Sequence, residues 1–178
     1  MKKFITITAT ILVLTLALLS LTSCVKMPRD YKDARTNLKD NDYGVQGSST
    51  PEESFILVTL VLEGMASSIK DQHNRLSALT LVDIIKSHSQ EILADIKNVI
   101  VGLSNDGKGE DFVLLIYFKD KEAVERNNYY FTSLFMVLQK NEIDYDTVPI
   151  YSDALIYGDA NDVLYLGTKQ GLKDTNKS

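Results

Sequence analysis

The chain alternates between apolar blocks and polar punctuation, and the blocks differ in kind. Phe4 to Leu21 is apolar apart from Thr6, Thr8, Thr10, Thr15 and Ser20, and it carries no charge. From Val25 to Thr50 the apolar residues stand singly among Lys, Asp, Asn and Ser, with Pro28, Gly44 and Gly47. Such a pattern predicts no core, so residues 24–50 are expected to be a flexible tether. A coil of that length spans roughly 25–30 Å and stretches to about 85 Å. A short helix near Asp30 to Leu38 is compatible with the composition, but nothing requires it.

Thr50, Pro51, Glu52, Glu53 then form a helix start: a hydroxyl N-cap, proline at the first helical position and a glutamate placed to close a capping box. The run Phe55 to Leu62 would suit a buried strand equally well, and the cap decides for helix. A helix so apolar should be nearly wrapped by the domain or by a partner. Gly64 weakens its middle, and Ser67 with Ser68 begins its end. A second helix is expected from Ala78 to Lys97, on the spacing of Leu81, Ile85, Ile92 and Ile96. Val99 to Leu103 and Phe112 to Phe118 predict a hairpin around the Gly-rich turn 105–109. Asp120 caps a third helix with a stripe of Val124, Phe131, Leu134, Phe135 and Leu138, closed by a left-handed Asn141. A last hairpin pairs Ile150 to Tyr157 with Val163 to Leu166 across Gly158 to Asp162. Residues 168–178 are polar and expected to be a disordered tail.

Helices set apart from antiparallel strands predict an α+β two-layer sandwich over residues 51–167, with about four strands and two or three helices on one side. The third helix should cross over between parallel strands.

The apolar N-terminal run follows Lys2 and Lys3 and ends in Leu21, Thr22, Ser23, Cys24. A positive end and a charge-free apolar stretch describe an export signal. Its close resembles the lipobox of bacterial lipoproteins, an aliphatic residue and two small ones before a cysteine. The resemblance implies a diacylglycerol thioether on Cys24, cleavage just before it, and removal of residues 1–23. About 18 apolar residues is also near the lower limit for a bilayer span, so an uncleaved signal anchor is the alternative. Two or three acyl chains hold firmly where one is marginal. Val25 stands where, in enteric lipoproteins, an Asp favours inner-membrane retention. The resemblance therefore implies the periplasmic face of the outer membrane in a Gram-negative cell, and otherwise the outer face of the cytoplasmic membrane.

The net charge is −5 and becomes −7 once Lys2 and Lys3 leave with residues 1–23. An acidic body without a clustered basic surface argues against nucleic-acid partners. The single Cys excludes an internal disulfide. His73 and His88 are the side chains suited to neutral-pH acid–base work. His88 lies between Ser87 and Ser89, but neighbours on a helix point about 100° apart and no nucleophile elbow is present. His73, among Asp71, Gln72 and Asn74, reads as a helix end. The segment 105–111 lacks the spacing of a phosphate loop, and Gly158 to Asp162 offers too few oxygen ligands for calcium. No catalytic residue, cofactor or metal ligand is therefore expected. Nine Tyr and no Trp leave Tyr145, Tyr151, Tyr157 and Tyr165 crowded into the last quarter. Tyrosines anchor interfaces, so Tyr151, Tyr157 and Tyr165 are the candidate binding residues; equally, such rings straddle the boundary of a core.

These readings converge on a non-enzymatic envelope lipoprotein, held to the membrane through Cys24, that binds an envelope protein as an accessory or assembly factor. The alternatives are a tethered hydrolase of cell-wall material built on His88 and an acidic partner, and a small-ligand binding module built on the Tyr-rich hairpin.

Overall fold

The computed structural model describes residues 30–104, 111–143 and 155–176. The order of elements is α1 (Tyr31–Asp40), β1 (Tyr43–Gly47), α2 (Pro51–Ser67), α3 (Gln72–Ser87), α4 (Ser89–Asp95), β2 (Ile96–Ser104), β3 (Phe112–Phe118), α5 (Lys121–Gln139), β4 (Leu155–Ala160), β5 (Val163–Thr168) and α6 (Lys169–Asp174). The strands form one antiparallel sheet in the order β1-β2-β3-β5-β4. The α+β class with antiparallel pairing is as expected. The sheet, however, has five strands, and helices cover both of its faces.

Strand β3 shows why. All seven of its residues are buried. Phe112, Leu114, Ile116 and Phe118 join one core with Val58, Leu62, Ile85, Leu134 and Phe135 from α2, α3 and α5. Val113, Leu115 and Tyr117 point the other way and join a smaller core with Ala34, Leu38 and Leu172 from α1 and α6. Side chains alternate across a strand, so an unbroken apolar run requires cover on both sides.

The second layer corrects two expectations. Residues 31–47, expected within a flexible tether, form a helix and an edge strand. Asp30 caps α1 by accepting the amides of Lys32 and Asp33 at 3.0 Å each, and β1 pairs residue by residue with β2, Tyr43 opposite Ser104 and Gly47 opposite Ile100. Leu38 lies against Gly102, where an added Cβ would meet its Cδ1 at 3.2 Å and Val113 Cγ1 at 2.9 Å. Residues 169–174, expected as tail, form α6, capped by Thr168 and buried at Leu172. The two ends are tied together: Asn37 Nδ2 donates to the Thr175 carbonyl at 2.8 Å, and Tyr43 Oη to Asp174 Oδ2 at 3.1 Å.

In the thicker layer the local signals hold. Thr50 accepts the Glu53 amide while the Glu53 carboxylate accepts the Ser49 amide, and α2 ends at the Ser68 cap. Asp120 caps α5 through Ala123 N at 2.8 Å, and every residue of the expected stripe is buried. The expected helix from Ala78 to Lys97 instead starts at Gln72, breaks at His88 and yields to β2 at Ile96. Asn141 is not left-handed; among the described residues other than glycine only Asp42 and Asn161 are. Its Nδ2 bonds the Val137 carbonyl at 2.7 Å. The β4–β5 turn is shorter than expected, with Asn161 at φ 54°, a conformation asparagine tolerates. Because β5 is antiparallel to both β3 and β4, those two run parallel, and α5 crosses over between them with β5 inserted.

Candidate functional site

Cys24 and Tyr151 lie outside the described residues, as do Tyr145 and the first part of the expected last hairpin. Tyr157 and Tyr165 are described, and they face opposite ways. Tyr157 pairs with Leu166 and packs its ring 6.3 Å from Phe135 in the thick layer. Tyr165 pairs with Gly158 and packs against the thin-layer core. A Cβ at Gly158 would fall 2.5 Å from the Tyr165 hydroxyl, so glycine is what lets the ring lie across β4. Burial first, and then the charge of Asp159, raises the Tyr165 phenol above its ordinary pKa. A one-residue step in register separates these rings onto two faces, so they form no common patch.

His88 sits at the break between α3 and α4. Its Nδ1 lies 2.9 Å from the Ile84 carbonyl and 3.1 Å from Ser87 Oγ, and Ser87 Oγ lies 2.8 Å from the same carbonyl. A carbonyl only accepts, so Nδ1 carries the proton and Ser87 donates to the backbone. Nδ1 then has no lone pair with which to take a proton from Ser87. The ring stacks on Tyr130 at 4.4 Å, and Tyr130 Oη donates to Glu91 at 3.2 Å. His88 thus closes a helix end and covers a ring. His73 occupies the first turn of α3, behind the Asp71 cap.

Beside Tyr130, a cleft of about 310 Å³ holds Asp95, Arg126 and Asn127. Arg126 grips Asp95 with Nε at 3.1 Å and Nη2 at 2.8 Å, and Asn127 Nδ2 donates to the same carboxylate at 2.8 Å. The hydrogen bond from Arg126 leads in holding the Asp95 carboxyl below its ordinary pKa, against the penalty of burial. With three donors on it, Asp95 is a clasp between α4 and α5. Among the described residues no cluster of three or more His, Cys, Asp or Glu side chains is placed to hold a metal.

The larger cavity, about 480 Å³, opens on the thin face at the end of the sheet where α1 begins. Tyr31, Lys32, Lys97, Tyr117 and Asp162 line it, and Asp30 stands on its rim. Tyr31 anchors one wall by donating to the Ser48 carbonyl at 2.8 Å, its ring edge-on to Tyr117 at 5.8 Å. Burial drives the Tyr117 phenol far above its ordinary pKa, with Asp162 and Asp30 adding to it, so it remains a neutral hydroxyl. Lys32 and Lys97 are exposed on the same cavity. This lining holds two cations, two carboxylates and a neutral phenol, a set suited to binding. Nothing along the chain marks this cavity, because its members come from four separate segments. No known protein family, curated protein or solved structure matches the chain.

Proposed function

We propose that the chain is a membrane-anchored lipoprotein of the bacterial cell envelope whose domain binds another envelope protein without catalysing a reaction. The observation that carries the binding part is the outer surface of α2. Ile56 is 58% exposed and Leu60 62%, one helical turn apart, with Phe55, Leu57 and Val61 half-buried beside them. Lone exposed aliphatics are ordinary, but a helix that remains apolar on its outward side has no reason in its own fold to do so. Anchoring rests on Lys2, Lys3, the charge-free run and the lipobox-like Leu21 to Cys24. The hydrolase reading loses support because Ser87 and His88 are both committed to the Ile84 carbonyl.

The test is purification from membranes in mild detergent, comparing the native chain with Ile56→Ser/Leu60→Ser. A stoichiometric partner that the native chain retains and the variant loses at unchanged melting temperature supports the reading. A monomer in both, or turnover of cell-wall material by the native chain, overturns it. Cys24→Ala should leave an uncleaved precursor of higher mass; normal cleavage and membrane retention would remove the anchor.

A further inference from the structure

Anchoring through Cys24, taken from the function proposed above, has a geometric consequence once the tether is known to fold. Asp30 is the first described residue, and α1 starts directly after it. Only the five residues Val25 to Arg29 lie between the lipid-bearing position and Asp30, six Cα steps with a reach of at most about 20 Å. A domain of this size has a radius of gyration near 15 Å, so the leash is shorter than the domain is wide. The Asp30 end stays beside the bilayer while the opposite end cannot reach it.

The cavity of about 480 Å³ lies at that same end, with Asp30 on its rim. Its volume falls in the range of small-molecule sites, roughly 300–1,000 Å³. Lys32 and Lys97 have no ion pair among the described residues, and they supply two ammonium groups. The Asp30 carboxylate is already used by the amides of α1, whereas that of Asp162 accepts no hydrogen bond from the described residues. The ring of Tyr117 forms part of the same lining. Lysines suit a phosphate, and a free carboxylate would repel one unless the ligand also brought a cation. The lining therefore matches a group that is anionic at one end and a primary ammonium at the other.

The geometry points to this cavity as a site for a zwitterionic phospholipid headgroup of the ethanolamine class, its phosphate on Lys32 and Lys97 and its ammonium on Asp162, drawn from the membrane that holds the anchor. A choline headgroup carries the same charges but has no N–H to donate to Asp162. A glycerol headgroup carries the phosphate alone.

The mature, lipidated protein is reconstituted into vesicles of phosphatidylcholine, of phosphatidylcholine with phosphatidylethanolamine, and of phosphatidylcholine with phosphatidylglycerol. Lysine acetylation is then read by mass spectrometry, with Lys70 and Lys140 as internal references. With ethanolamine, labelling of Lys32 and Lys97 should fall about tenfold relative to detergent, as for a site about nine-tenths occupied. Asp162→Asn should restore most of the labelling, and Lys32→Gln should restore it at Lys97. Equal protection in all three vesicles would overturn the headgroup assignment, because proximity to any bilayer would then suffice. Protection by the glycerol lipid alone would overturn it in favour of simple phosphate attraction. Unprotected lysines throughout would overturn the orientation as well. The intact mass, measured before reconstitution, separates these failures from failure of the anchor: a mature chain without a lipid on Cys24 overturns both.

Discussion

The two faces of the sheet are built by opposite means. The thick face carries α2, α3, α4 and α5, contiguous in chain order except for the β2–β3 hairpin, and buries large side chains such as Leu62, Phe131 and Phe135. The thin face carries α1 and α6, taken from opposite ends of the described chain and only ten and six residues long. Helices that short are not stable alone. They hold because Leu38 enters the space left by Gly102, because Leu172 packs over Gly167, and because Asn37 and Tyr43 bond to Thr175 and Asp174. Area secures one face; specific ties secure the other. The thin face also carries the cavity beside Tyr117.

The sharpest way to break this contrast is to remove half of the thin face. A chain beginning at Gly47 loses α1 and nearly all of β1, and with them the burial of Ala34, Leu38 and Tyr43. Apolar burial contributes about 1.5–3 kcal/mol per large side chain, against a total stability of about 5–15 kcal/mol. This chain should fail to fold, whereas one beginning at Asp30 should unfold cooperatively in urea. Equal midpoints for the two would show that the thin layer is ornament. A smaller change compares the faces directly. Leu172→Ala should cost about 2–4 kcal/mol, close to the cost of Leu134→Ala on the thick face, although it lies so near the C-terminus. A cost below about 1 kcal/mol at Leu172 would mean that α6 frays in solution.

Titration should separate the faces at opposite ends of the pH scale. Asp95, on the thick side, is held below its ordinary pKa, mainly by Arg126. Its contribution is present above the unfolded value near 3.9 and is lost as pH falls through the folded one. Asp95→Asn should therefore flatten the acid limb of a stability profile. Tyr117, on the thin side, is raised, mainly by burial. Its unfolded form ionises first, so stability is full below about 10 and falls as pH rises beyond it. Tyr117→Phe should flatten the alkaline limb and leave the acid limb alone; an unchanged alkaline limb would place this phenol in water. The smallest effect is expected at Ser87→Ala, within about 0.5 kcal/mol of the native chain, since its hydroxyl only doubles a bond to a helix-end carbonyl. Loss of any hydrolytic turnover in that variant would reopen the enzyme reading.

Much of the thick face was legible residue by residue. The caps at Thr50 and Asp120 are hydrogen bonds closed within three residues, and the stripe of α5 repeats within a turn, so both are written locally. One unused signal also stood in the sequence. The seven apolar residues of β3 do not alternate, which demands cover on both faces and so foretells a second layer. The site was less legible: Tyr157 and Tyr165 are close in sequence, which suggests one patch, but the register of β4 against β5 assigns them to different cores.

By itself, then, the sequence determined where α2 and α5 start, which runs are buried and that the strands pair mainly antiparallel, because those properties depend on neighbours a few residues away. Only the tertiary structure decided that residues 31–47 and 169–174 fold, since β1 finds its partner in residues 100–104 and α1 finds its tie at Thr175. A short polar strand has little preference of its own, and its stability comes from the surface it completes. For the same reason the cavity is invisible along the chain: its cations and carboxylates come from α1, β2 and the β4–β5 turn, and only the closing of the sheet brings them together.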